Sequence, residues 1–169
     1  RRLAIFIGST IGNFPPEQML HFLRTARAFL HTGDFLLLGT DLVKPIPVIE
    51  AADNDAAGVT AAFNLNILTV LNRELGANFD LEGFEHYAFF NRELSQIEMH
   101  LRARHAQQVT ISHLDMTVDF TAGETIHTEI SRKFEMQQVA DILNDTGYGV
   151  TRWYTPDNRY FGLVLAHAL

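Results

Sequence analysis

The sequence predicts an α/β fold in which a mostly parallel sheet is interrupted by an α+β insertion. Three observations favour this fold class: a strand–helix–strand pattern opens the chain, two extended runs joined by a turn close it, and the pattern changes in between. We therefore expect residues 1–44 and 132–169 to form the sheet-based core, and residues 45–131 to form the insertion.

The opening segment predicts a strand, a helix and a second strand. The apolar run at residues 3–7 is typical of a parallel strand that is buried on both faces. Pro16 and Glu17 indicate a helix start, because proline suits the first turn and an acid suits the positive end of the helix dipole. Residues 34–39 form a second apolar run, so the two strands should be parallel.

The closing segment predicts a helix followed by an antiparallel hairpin. Phe134, Val139 and Leu143 recur at helical spacing before Gly147. Two extended runs follow at residues 148–154 and 160–166, and Pro156 in the turn between them pre-sets the required φ.

The insertion predicts one helix and several short strands. The helix has an apolar stripe, and the extended segments are residues 84–90, 96–103, 109–112 and 116–120. The stripe consists of Val59, Phe63, Ile67, Val70 and Leu71. Insertions of this kind commonly cover the carboxyl ends of the core strands, where ligands bind.

Composition and charge exclude several function classes. Thirteen lysines and arginines against 20 acidic residues give a formal net charge of −7, which disfavours binding to a nucleic acid backbone. The chain has no cysteine, so disulfides, thiolate nucleophiles and cysteine-type zinc sites are excluded. No apolar run approaches the roughly 18 residues of a membrane span, and no signal-peptide pattern opens the chain. The expected partner is a small polar molecule, and the expected compartment is the cytoplasm.

Two short motifs have side chains suited to ligand binding. Gly8, Thr10 and Asn13 lie in a turn after the first strand, where glycine permits close backbone approach and Asn13 offers a donor and acceptors. Glu129 and Ser131 alternate along an extended segment, so both should point to one face and could hold an imidazole or an ammonium group. A plain capped turn and a solvated strand face are the simpler interpretations of these two motifs.

The histidines do not predict a metal site. None of the 8 histidines has a convincing ligand spacing, and His100 and His105 should point to opposite faces of a strand. Surface histidines without a metal are the expected arrangement. Met99 is by default a residue that fills gaps in an apolar core.

Five stretches, in order along almost the whole chain, resemble a known enzyme family. They are residues 6–13, 37–44, 55–64, 97–104 and 128–134. Together they resemble the histidine Nα-methyltransferases of the ergothioneine pathway, which use S-adenosylmethionine to trimethylate the α-amine of histidine. The resemblance implies that this chain is the C-terminal half of a class I, Rossmann-like methyltransferase, and that residues 45–131 bind the substrate.

The resemblance also implies a role for individual residues. Asn13 would contact the amino-acid backbone of the substrate, and Glu129 and Ser131 would hold its imidazole. The remaining pocket residues would be Gly8, Thr10, Thr60 and Met99, with Gly8 also at the cofactor. The resemblance names no general base, since the α-amine can lose its proton to solvent or to a neighbouring acceptor.

Two departures from the family pattern qualify these roles. Asp53 stands where the family usually has a tyrosine, and an ionised carboxylate there would repel the carboxylate of the substrate. The glycine-rich loop and the acid that bind the cofactor are expected upstream of this chain, which alone is therefore expected to be inactive. It is also expected either to self-associate through the strand edge at residues 3–7 or to behave poorly in solution. A methyltransferase for another amino acid and a non-catalytic binding domain remain as alternatives.

Overall fold

The computed structural model describes residues 1–169, which divide into two compact units. Unit 1 comprises Arg1–Pro45, Arg92–Gln96 and Ile130–Leu169, and unit 2 comprises Ile46–Asn91 and Ile97–Glu129. The elements, in chain order, are β1 (Leu3–Phe6), α1 (Pro16–Ala28), β2 (Phe35–Asp41), α2 (Ile46–Asp53), α3 (Val59–Leu75), β3 (Phe84–Asn91), β4 (Gln96–Ala103), β5 (Gln107–Ile111), β6 (Met116–Phe120), β7 (Thr125–Arg132), α4 (Met136–Asp145), β8 (Tyr148–Tyr154) and β9 (Phe161–Ala168).

Unit 1 contains a four-stranded sheet in the order β1-β2-β9-β8. β1 and β2 are parallel, with Leu3 opposite Phe35, which confirms the predicted strand–helix–strand unit. β9 runs antiparallel to both β2 and β8, which confirms the predicted hairpin. The α/β fold class is therefore confirmed.

The two helices of unit 1 bury their apolar faces in one core with the sheet. Met19 and Leu23 of α1 and Val139 and Leu143 of α4 are buried there, together with residues of β2 and β9. Burial of each large side chain stabilises the unit by about 1.5–3 kcal/mol. This core holds the carboxyl ends of β1 and β2 in place.

Only one face of β1 is buried. Ala4 and Phe6 pack against the core, whereas Leu3, Ile5 and Ile7 are 52%, 59% and 56% exposed. The expectation that residues 3–7 are buried on both faces is therefore wrong for this chain. The reason is that α1 and α4 both pack in the core on the side of Ala4 and Phe6, so the helices of unit 1 leave the side of Leu3, Ile5 and Ile7 uncovered.

Unit 2 contains most of the three-stranded sheet β3-β4-β7, the two-stranded ribbon β5-β6, and helices α2 and α3. All the predicted extended segments of the insertion are strands. Phe84 lies at the centre of the main core of this unit, with its ring 5.8 Å from that of Phe79 and 5.3 Å from that of Phe120.

Helix α3 exists as predicted, but most of its predicted apolar face is exposed. Val59 and Phe63 are each 68% exposed and Ile67 is 41% exposed, whereas Asn64 and Leu68 are buried. The Asn64 side chain is satisfied internally, because its amide donates to the carbonyl of His100 at 3.1 Å. A buried polar residue on the core face is what made the hydropathy pattern misleading.

Candidate functional site

The turn after β1 holds three of the predicted site residues. Gly8 and Ser9 adopt left-handed φ values of 80° and 58°, and a single 3₁₀ turn then covers Thr10–Asn13. The Ser9 hydroxyl accepts a hydrogen bond from the backbone N–H of Asp41 at 2.8 Å, which ties this turn to the end of β2. The turn is therefore fixed at the carboxyl ends of two parallel strands.

The same turn is also fixed against the end of β7. The Asn13 amide donates to the carbonyl of Ile130 at 2.9 Å. A Cβ atom on Gly12 would lie 2.9 Å from the carbonyl oxygen of Arg132, so only glycine permits this approach. Within unit 1, the structure thus brings Asn13 beside the residue that precedes Ser131.

Ser131 belongs to a charged network that the sequence did not predict. The Lys133 ammonium donates to the Ser131 hydroxyl at 2.7 Å and lies 3.0 Å from a carboxylate oxygen of Asp41. The other oxygen of Asp41 accepts from Lys44. The side chain of Lys133 is only 6% exposed, so its charge needs the compensation that Asp41 supplies.

A signal for this network was present in the sequence. Lys133 continues the alternation of Glu129 and Ser131, two residues further along an extended segment. Asp41 and Lys44 both fall in the stretch 37–44 that resembles the family, although no role was predicted for them.

In unit 2, the predicted residues Asp53 and Thr60 flank the start of α3. The Asp55 carboxylate accepts from the backbone N–H groups of Thr60 at 2.8 Å and of Val59 at 2.9 Å, and thereby caps the helix. These two hydrogen bonds, that from Thr60 first, lower the pKa of Asp55. Asp53 is half-buried, and its backbone carbonyl lies 2.9 Å from Nε2 of His86.

Met99 and Glu129 lie on neighbouring strands of unit 2. Met99 is 4% exposed and packs with Ile49 and Ile97 in a small apolar cluster. The Thr128 hydroxyl donates to the Met99 carbonyl at 2.9 Å, which ties the two strands together. Glu129, the next residue, is half-buried. Of the eight predicted positions, Gly8, Thr10, Asn13 and Ser131 therefore lie in unit 1, and Asp53, Thr60, Met99 and Glu129 lie in unit 2.

The structure also gathers a cluster that sequence reasoning missed. The ligand-type atoms of Glu98, His100 and His127 all lie within 4.8 Å of one another. The His100 ring is stacked on His127 at 4.6 Å, with an interplanar angle of 16°. A metal ion in the plane of one ring would lie outside the plane of the other, so these rings would have to rotate before both could bind it.

His100 is half-buried, so the expectation of a surface histidine is wrong at this position. Its side chain is 13% exposed and Nε2 lies 3.5 Å from a carboxylate oxygen of Glu98, but neither ring nitrogen makes a hydrogen bond of good geometry. Burial is the main cause that lowers the pKa of His100, and the nearby His127 adds to it, whereas Glu98 opposes both. The pairing of β4 with β7, which brings these residues together, cannot be seen from sequence spacing.

Comparison with known proteins identifies the family. The model of the histidine-specific, S-adenosylmethionine (SAM)-dependent methyltransferases matches residues 1–168. The chain belongs to this family. It is 52% identical over 166 residues to histidine N-alpha-methyltransferase of Mycolicibacterium smegmatis and 48% identical over 166 residues to the protein of that name from Mycobacterium tuberculosis.

This member of the histidine-specific methyltransferase family spans about half the length of those relatives. It covers 52% of each relative, and 98% of this chain is matched in both. A crystal structure of the PH0226 protein from Pyrococcus horikoshii shares the fold, with a TM-score of 0.50 at 8% identity, over 99% of this chain and 54% of that one. None of the helices has the length and apolar character that crossing a membrane requires.

Proposed function

We propose that a polypeptide containing this chain transfers methyl groups from SAM to the α-amine of histidine, and that this chain supplies mainly the amino-acid pocket. The observation that carries the proposal is the family match over residues 1–168, which includes every predicted site residue. The contact between Asn13 and Ile130 supports it, because this contact holds an amide side chain beside Ser131. The product would be the trimethylated betaine of histidine.

The substrate contacts follow from the chemistry of the side chains. Asn13 can donate to the substrate carboxylate, and Glu129 and Ser131 can bind the two ring nitrogens of the imidazole. Thr10, Thr60 and Met99 would line the remainder of the pocket. These contacts would align the amine for in-line attack and exclude water, which is most of what methyl transfer to nitrogen asks of an enzyme.

Gly8 is the residue best suited to lie against the cofactor. It has a left-handed φ of 80°, and a Cβ atom there would meet only the Thr10 hydroxyl, at 3.7 Å. An open backbone position at the end of a parallel strand is where ligands of α/β sheets approach closely. When bound, SAM supplies an electrophilic sulfonium methyl group.

Glu129 gives the most direct test of the substrate assignment. In a polypeptide of the relatives' full length that contains this chain, Glu129→Ala should remove a charge-assisted hydrogen bond worth about 1.5–3 kcal/mol. Histidine affinity measured by calorimetry should then fall about 10- to 150-fold. Glu135→Ala, which changes an exposed glutamate, is the matched control. Unchanged histidine binding in Glu129→Ala would rule out this role.

Asp53 favours a second candidate, methylation of a different amino acid. If the Asp53 carboxylate faces the carboxylate of the substrate, Asp53→Tyr should tighten histidine binding, because repulsion is replaced by a donor. Calorimetry on the same full-length polypeptide with a panel of amino acids decides between the candidates. Tighter binding of another amino acid by the unaltered protein would favour the second, and no gain in Asp53→Tyr would remove Asp53 from the site.

We also propose that this chain alone self-associates through β1. The strand combines an unpaired backbone edge with the exposed side chains of Leu3, Ile5 and Ile7. Such an edge commonly pairs with another chain.

A further inference from the structure

Lys133 is held rigidly at the end of β7. Its backbone N–H donates to the carbonyl of Ser95 at 2.8 Å, and its own carbonyl accepts from the Ser95 hydroxyl at 3.1 Å. Its ammonium is fixed in turn by Asp41, at 3.0 Å. Both ends of this side chain are therefore positioned before any ligand binds.

In the contact between Lys133 and Ser131, only the lysine can donate the hydrogen bond. A lysine ammonium carries three donors and no acceptor, so at 2.7 Å the Ser131 oxygen must be the acceptor. The hydroxyl proton of Ser131 consequently points away from Lys133. A positive charge so close also strengthens the O–H group as a donor and makes its oxygen a poorer acceptor for a further N–H group.

We propose that Lys133 is a positioning residue that fixes the Ser131 hydroxyl as a donor, so that Ser131 binds a bare ring nitrogen and rejects a ring N–H group. This inference rests on the proposed function, in which Ser131 contacts the imidazole of histidine. It deepens that function by specifying which form of the ring is bound: a neutral imidazole with its lone pair toward Ser131. The N–H group of the ring is then left for a carboxylate acceptor, the role proposed for Glu129.

Two analogues of histidine separate the bare nitrogen from the N–H group. In pyrrol-2-ylalanine and pyrrol-3-ylalanine, one ring nitrogen is kept as N–H and the other is replaced by C–H. The full-length polypeptide should bind histidine more tightly than either analogue. Equal affinity for histidine and the better-bound analogue would overturn the inference.

The variant Lys133→Met removes the ammonium but keeps the length of the side chain. Histidine affinity should fall about five- to tenfold, the scale of one weakened hydrogen bond, whereas affinity for the pyrrole analogues should be unchanged. In a Ser131→Ala background, Lys133→Met should change histidine affinity less than about twofold, because the group it orients is missing. A purely structural role would weaken all ligands alike in both backgrounds, and that result would overturn the inference.

Lys44→Met is the matched control. Lys44 pairs with the same carboxylate, Asp41, and also lies over the ring of Tyr160. Its removal deletes the same charge from the network, so the preference for histidine over the pyrrole analogues should survive. Loss of that preference in Lys44→Met as well would assign the effect to charge rather than to the orientation of Ser131.

Two further measurements keep the inference open to refutation. If Lys133→Met does not show a cooperative unfolding transition, Lys133→Gln replaces it, because an amide can either donate or accept and no longer fixes the hydroxyl. If the unaltered full-length polypeptide does not bind histidine at all, the proposed function itself fails. If it binds histidine and Glu129→Ala weakens that binding, but the Lys133 variants keep full preference over the pyrrole analogues, only the present inference fails.

Discussion

The two units of this protein differ in the partners that their buried polar side chains have. In unit 1, the buried ammonium of Lys133 has both a carboxylate and a hydroxyl partner. In unit 2, the half-buried ring of His100 is stacked between Phe89 and His127, and its polar neighbour is the Glu98 carboxylate, 3.5 Å from Nε2 and without good hydrogen-bond geometry. A satisfied charge network holds one geometry, whereas a stacked imidazole is held mainly by packing. In unit 1, the predicted site residue Ser131 is therefore held by an ion-paired side chain.

The units also differ in the kind of apolar surface that they expose. In unit 1 it is an edge strand, where Leu3 and Ile5 accompany unpaired backbone groups. In unit 2 it is one side of α3, where Val59 and Phe63 are exposed but the helix backbone is satisfied internally. The strand offers another chain both hydrogen bonds and apolar contact, and the helix offers apolar contact alone.

The largest effect should appear when each exposed surface is given a charge. Ile5→Lys should weaken self-association of this chain about tenfold or more, since burial of one such side chain contributes about 1.5–3 kcal/mol. Phe63→Lys on α3 is the matched comparison and should have a smaller effect, because no backbone edge accompanies it. Light scattering over a range of protein concentrations measures both variants. If the unaltered chain is a monomer at all concentrations, or if both substitutions have an equal effect, the expected difference between the β1 edge and the exposed face of α3 is wrong.

The second effect concerns the turn that holds Asn13 in unit 1. Gly12→Ala would place a methyl group 2.9 Å from the Arg132 carbonyl oxygen and 3.3 Å from its backbone nitrogen. Backbone atoms in a strand cannot move aside easily, so we expect a loss of about 1–3 kcal/mol in the free energy of unfolding. Urea titration followed by circular dichroism measures this loss.

Gly149→Ala provides the control for that substitution. A methyl group there would meet the ring of His167, at 2.5 Å, and this side chain can swing away. The control should therefore cost less than Gly12→Ala. The same cost at both positions would show that the close approach of the turn to β7 is not what requires glycine at residue 12.

Local patterns predicted most elements of both units, although they missed helix α2, and they did not predict how all of the elements are buried. The strand–helix–strand unit and the final hairpin follow from hydropathy, proline and glycine signals that lie within a few residues of one another. The exposed face of β1 depends on which face of the sheet the helices cover, and the buried face of α3 on the partners of Asn64. Both are properties of the tertiary structure, so no spacing along the chain could have revealed them.

The candidate site was predictable to the extent that the resemblance to the family carried it. Asn13 and Ser131 were predicted, and the structure holds Asn13 against Ile130, the residue next to Ser131. The contact of Lys133 with Asp41 joins residues 92 positions apart, so although the alternation from Glu129 places Lys133 on the face of Ser131, no local pattern pairs it with Asp41. The stack of His100 on His127 likewise depends on strand pairing.

The smallest effect should come from the half-buried imidazole of His100 in unit 2, where Glu98 offsets part of the cost of burial. Because the pKa of His100 is lowered in the folded state, the unfolded chain binds the proton more readily. The contribution of neutral His100 is therefore fully present above the ordinary histidine pKa of about 6.5 and is lost as pH falls from there through the folded pKa.

His100→Phe keeps the stacking on Phe89 and removes this titration. The free energy of unfolding should consequently fall less between pH 7.5 and about pH 5 in the variant than in the unaltered protein. His105→Gln, at an exposed histidine just after β4, is the matched control. The slope with pH is the quantity that decides, since a change in packing alone would shift both ends of the curve equally. Parallel curves for His100→Phe and the unaltered protein would mean that burial of this ring carries no electrostatic cost, and the contrast between the two units would then reduce to the network around Lys133.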